Sequence, residues 1–241
     1  TQINEMAFYA CRELQSVVIP DTITNIGDMV FGGCESLTEI NIPETVISIG
    51  KFAFSNCTIL SSINIPKNIK VINESTFELC RNLETVVLPE GLTTIHKRAF
   101  NNCMSLKNIN FPSTLQAIFE NAFESCSSLE EVNFPSSLTS IGKSAFEASS
   151  LKGKITIPEN VTKINEKSFY NCREITEIEL PDALVEIGDS AFAYCTKLKE
   201  INLPKNLKTI GSSAFEYCIF LEDVVFPNTL ELIGYGAFMG C

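Results

Sequence analysis

All ten prolines of the chain stand 23 residues apart: Pro20, Pro43, Pro66, Pro89, Pro112, Pro135, Pro158, Pro181, Pro204 and Pro227. Six residues after each comes an isoleucine, from Ile26 to Ile233, and five further on a phenylalanine, from Phe31 to Phe238. Ile3 and Phe8 fit the same frame. A fixed period of this size with one apolar set per unit is the signature of a solenoid. One unit cannot bury its own apolar side chains. Ile49 and Phe54 need Ile26 and Phe31 on one side and Ile72 and Phe77 on the other. Stacked in parallel, equivalent residues form continuous inner ladders with rungs roughly 4.8 Å apart.

Within a unit, Leu37, Ile40 and Ile42 alternate with Glu39 and Asn41, which predicts a strand with one buried face. Proline lacks an N–H and fits the end of that strand, not its middle. A second short extended piece, Val46 to Ile49, follows. Seven past each proline stand Gly27, Gly50, Asn73, His96, Phe119, Gly142, Asn165, Gly188, Gly211 and Gly234. Nine of these tolerate positive φ, so a left-handed corner is expected there. Phe119 breaks the rule: either its rung relaxes, the favoured reading, or it carries strain. After the corner, segments such as Lys51–Cys57 are too short for an independent helix, and a single helical or 3-10 turn is expected.

Together these features predict one array over residues 1–241, of about ten rungs, with no second domain. The chain begins and ends inside a repeat and neither end carries a polar capping unit, so a piece of a longer array is expected. The net charge of −11 argues against a nucleic-acid or anionic-membrane surface. No apolar run approaches the ~18 residues that span a bilayer, so no membrane insertion by this segment is expected.

The ten cysteines follow the period too, and the slot that would complete the series holds Ser149. No pair has the spacing of metal ligands, so no metal and no cofactor are expected. A ladder of reduced, buried thiols acting as small hydrophobes is the preferred reading, although adjacent rungs fall within disulfide reach. Around Ser149 one residue is lost relative to neighbouring units, and Gly153 restores the frame, as a bulge would.

The pattern Ile-Pro-x-x-Val/Leu-x-x-Ile-Gly-x-x-Ala-Phe-x-x-Cys-x-x-Leu-x-x-Ile resembles the BspA-like subclass of leucine-rich repeats, and the resemblance covers the whole chain. It implies an α/β, right-handed solenoid with a parallel sheet on its concave face and short second strands and helical turns opposite. It also implies a surface protein of a bacterium or parasitic protist, used for adhesion or for binding host proteins. The chain departs from the pattern at Phe119, Ser149 and Gly153.

Side chains two and four before each proline share the outward, concave face. These rows hold Glu39, Asn41, Asn64, Asn108, Asn110, Glu131, Asn133, Glu177, Glu179, Glu200, Asn202 and Asp223. They predict an asparagine row with an acidic flank, read either as a protein- or glycan-binding surface that prefers basic partners, or as a solvated face with stacked amides bonded to one another. Met6, Met29 and Phe52, nine past successive prolines or their frame equivalent, form a possible apolar contact stripe with a partner or with the rest of a longer chain. His96 is the only histidine, so neither a catalytic triad nor a His-based zinc motif can be assembled in the usual way. No enzymatic activity is expected. Three glycosylation acceptors, Asn56, Asn73 and Asn160, matter only in a secreted eukaryotic protein. The reading is a non-enzymatic adhesion module, extracellular or at the cell surface. The alternative is a scaffold or ruler inside a cytoplasmic assembly.

Overall fold

The isoleucine six past each proline is where successive coils lock together. In the computed structural model, which describes all 241 residues, Ile3 pairs with Ile26 and Ile26 with Ile49, in parallel and always 23 apart. Ile72, Ile95, Ile118 and Ile141 form a second ladder, and Ile164, Ile187, Ile210 and Ile233 a third. The two interruptions fall where asparagine takes the position after the isoleucine. Gly50 N–H donates to the Ile26 carbonyl at 2.8 Å, and Gly142 N–H to Ile118 likewise. At Asn73 and Asn165 the side-chain amide makes that bond instead, to Ile49 and Ile141, each at 2.7 Å.

The opposite, concave face is built from strands ending just before the prolines. Ser62–Asn64, Thr85–Val87 and Asn108–Ile109 form one parallel set, and Lys152–Thr156, Glu174–Glu179 and Glu200–Ile201 another. Single bridges from Asn108 to Glu131 and from Glu200 to Asp223 extend the two sets, and a separate one joins Val18 to Asn41. The register slips between Gly153 and Lys154, where Gly153 adopts φ 72°, so the expected bulge is present.

Between the faces lies one cluster of 62 buried residues. Its spine is the phenylalanine column from Phe8 to Phe238, with rings nearly parallel and centroids 5.1–5.6 Å apart. That geometry is offset stacking. No buried side-chain polar atom lacks a hydrogen-bond partner.

Two expectations are corrected. There is no helical or 3-10 turn after the phenylalanine. The N–H groups of Met29, Phe31 and Gly33 instead turn along the axis to the carbonyls of Lys51, Ala53 and Ser55 in the next coil, leaving no run of N–H groups to close helical rings. The left-handed residues lie nine and thirteen past the proline, as at Phe52 (φ 54°) and Asn56 (φ 59°), not seven past. The glycines at seven serve close approach: a Cβ on Gly50 would lie 2.5 Å from Gly27 C and Asp28 N. Phe119 has no positive φ. Its ring stacks on His96 with centroids 4.8 Å apart, and its N–H donates to the Ile95 carbonyl at 2.9 Å as in neighbouring coils. With no left-handed corner at seven, neither relaxation nor strain is called for.

Candidate functional site: the concave sheet and its C-terminal recess

Strand alternation turns Ile40, Ile63, Val86, Ile109, Ile155, Ile178 and Ile201 into the core, and the residues between them outward. Glu39, Asn41, Asn64, Asn108, Asn110, Glu131, Asn133, Glu179, Glu200, Asn202 and Asp223 are all exposed, and Glu177 is half-buried. The row four before the proline runs in register through Ser62, Thr85, Asn108 and Glu131, and again through Lys154, Glu177, Glu200 and Asp223. Val18, Val87 and Val225 interrupt the row two before the proline and are 91%, 60% and 82% exposed.

The asparagines do not form a bonded amide ladder: the only side-chain hydrogen bond within their row is from Thr156 Oγ1 to Glu179, at 2.9 Å. The acidic flank is also less uniform than its composition suggests. Past the slip, in the regular register, Lys154 stands beside two carboxylates, Glu177 at 3.0 Å and Glu179 at 3.2 Å. These contacts push the Lys154 ammonium pKa up, the Glu177 bond first. Lys152 is paired with Glu130, and Lys197 with Glu174 at 2.5 Å. Glu200 and Asp223, bridged side by side, have no lysine or arginine partner. They border a recess of about 800 Å³ lined by Lys199, Asn202, Phe220, Glu222, Val225 and Phe226 among others. An unpaired carboxylate pair beside exposed apolar surface can take a cationic side chain and the stem that carries it.

Met6, Met29 and Phe52 occupy one left-handed position on consecutive coils. Met6 is exposed and the other two are half-buried. His96 lies against Phe119 and not against a carboxylate. Of the three glycosylation acceptors, Asn73 has its amide committed to Ile49, and Asn160 donates to Ser136 at 2.9 Å. Asn56 is half-buried in a left-handed turn.

All ten thiols are free, and eight are buried. Sequence reasoning treated them as small hydrophobes, but they also donate. Cys57 Sγ reaches the Phe31 carbonyl at 3.2 Å and Cys80 that of Phe54 at 3.0 Å, a contact repeated from Cys34 to Cys241. Where Ser149 replaces cysteine, its hydroxyl meets Cys172 Sγ at 3.3 Å. Burial pushes Cys80, Cys172 and Cys218 up to about 12, which keeps them protonated and poor nucleophiles.

A profile of the BspA type leucine rich repeat region matches in six copies over residues 1–130 and 116–241. A leucine-rich repeat protein from Bacteroides ovatus is 32% identical, with TM-score 0.69, covering 100% of this chain and 74% of its own. The Treponema pallidum leucine rich repeat protein is 29% identical (TM-score 0.58, 83% of each chain). A leucine rich cell surface protein from Faecalibacterium prausnitzii is 26% identical (TM-score 0.59, 100% of this chain and 74% of that one). No curated protein matches.

Proposed function

The chain belongs to the BspA-type leucine-rich repeat family, and from that premise we propose that it is a non-enzymatic protein-binding module at the cell surface. Its concave sheet takes up a cationic segment of its partner. The observation that carries this reading is the Glu200–Asp223 pair: bridged neighbours on the outward face, without a basic partner of their own, in a recess also lined by the exposed Val225 and Phe226. The rest of the face is polar and in register, so it offers a flat, repetitive landing surface with one charged, partly apolar anchor. The surface location is supported by the similarity to the Faecalibacterium prausnitzii cell surface protein.

The test uses a nine-residue oligolysine peptide and isothermal calorimetry. Glu200→Lys with Asp223→Lys is expected to weaken binding at least tenfold. Asp21→Lys with Glu159→Lys, which changes net charge equally from loops off the sheet, is expected to weaken it two- to threefold. Equal losses in both double variants would remove the concave site and leave only a general attraction to an acidic protein.

A further inference from the structure

Three tyrosines line the outer turn edge of the C-terminal coils, away from the outward rows of the concave sheet. Tyr170 and Tyr194 meet with centroids 5.4 Å apart at 64°, and Tyr194 and Tyr217 stack at 5.1 Å and 29°. Tyr217 is 42% exposed. Tyr194 and Tyr217 both sit in left-handed backbone, at φ 63° and 55°. The equivalent position holds Asn56, Asn102 and Asn171 in three coils and Ala10, Leu79, Ser125 and Ala148 in others; asparagine tolerates this conformation better than a bulky ring does. The next residue in that column is Gly240, where a Cβ would lie 2.7 Å from the Tyr217 ring; its absence gives the ring room. The left-handed backbone is common to the whole array, but three rings within reach of one another occur on this edge only in the C-terminal coils.

The chemistry of the edge indicates what it receives. Lys167 Nζ already stands over the Tyr170 ring, 5.6 Å from its centroid, so these rings accept a cation. On these turns Glu147, one coil before Tyr170, and Glu216, next to Tyr217 in the chain, have no ion-pair partner, and Lys167 and Arg173 are the unpaired cations beside them. Glu216 is near enough to Tyr194 to push its phenol pKa up, after burial. Planar guanidinium suits such a site better than ammonium, because it stacks on a ring while its N–H groups reach a carboxylate or phenol oxygen.

We propose that the Tyr170–Tyr194–Tyr217 ridge is a second docking surface, for an arginine-bearing polypeptide segment. It reads the guanidinium group itself, whereas the concave carboxylates respond to positive charge of either kind.

Nonaarginine and nonalysine peptides have equal charge, so the ratio of their affinities isolates stacking from general attraction. The intact protein is expected to bind nonaarginine about tenfold more tightly than nonalysine. Tyr194→Asn with Tyr217→Asn leaves the net charge unchanged and places in both coils the residue other coils use. It is expected to bring the ratio near one while the melting temperature holds or rises, as relief of left-handed strain requires. Tyr194→Phe with Tyr217→Phe keeps the rings and is expected to keep the preference. Glu200→Lys with Asp223→Lys is expected to weaken both peptides and leave the ratio intact, so the two surfaces fail separately. An equal affinity of the intact protein for the two peptides, or a preference that survives the asparagine variant, overturns the proposal.

Discussion

The side-chain amide of Asn73 donates to the carbonyl of Ile49 at 2.7 Å, doing for its coil what the backbone N–H of Gly50 does for the coil before. The isoleucine ladder is interrupted at that step and again at Asn165, so two asparagines divide the convex ladder into three segments while the Ile49 and Ile141 carbonyls stay paired. Asn73→Ala removes the donor and is expected to cost about 1–3 kcal/mol, the penalty of an unsatisfied buried carbonyl. Asn73→Asp sets a carboxylate oxygen against that carbonyl and is expected to cost more than Asn73→Ala, whose backbone N–H can shift to the bond that His96 and Phe119 make in their coils. Urea midpoints of the three proteins check it, and an Asn73→Asp protein as stable as Asn73→Ala would contradict it.

The phenylalanine column makes the middle of the array its least replaceable part. Phe123 stacks on Phe100 and Phe146 and meets Phe111 edge-on, and it is fully buried. Phe123→Ala is expected to lose about 3–5 kcal/mol. Nearest-neighbour coupling in a solenoid predicts that amide exchange speeds up first in the coils flanking Phe123. Uniform acceleration from end to end would instead indicate one indivisible unit.

The thiol ladder makes the fold sensitive to alkali. Burial raises the eight buried cysteines above their ordinary value of 9.0, to about 12 at Cys80, Cys172 and Cys218. Between these values the unfolded chain has lost thiol protons that the folded chain still holds. The stability contribution is therefore complete below pH 9 and falls as pH rises toward 12. At pH 10 each fully buried thiol is expected to cost about 1.4 kcal/mol relative to pH 7. Under reducing conditions the urea midpoint is expected to drop steeply from pH 8.5 to 10, and less so in Cys80→Ala with Cys126→Ala. A flat profile would mean the thiols are open to water.

The period made the coil and its buried set legible: Ile49, Phe54 and Cys57 lie where spacing alone puts them, and so do the outward rows. Gly153 was also readable, because a lost and regained residue leaves a bulge as its simplest geometry. The left-handed positions were not. Residues as varied as Phe52, Arg98, Lys167 and Leu79 occupy them, because the hydrogen bonds between coils, such as Phe52 N–H to Glu74, outweigh the preference of any one residue. The 23-residue frame already sets Lys154 beside Glu177, whereas the diagonal contact to Glu179 is visible only in the structure. The tyrosine ridge escaped the periodic scan because Tyr170 lies twelve past its proline, and Tyr194 and Tyr217 thirteen past theirs.

Everything above rests on residues about 23 apart being neighbours along the whole chain, and zero-length carbodiimide cross-linking of the native protein, mapped by peptide mass spectrometry, tests that most directly. Lysine and glutamate are predicted to join at Lys51–Glu74, Lys97–Glu120, Lys107–Glu84, Lys143–Glu166 and Lys163–Glu186, each one coil apart. A link set dominated by separations of several coils, with these five missing, would contradict the stacked array and the surfaces built on it.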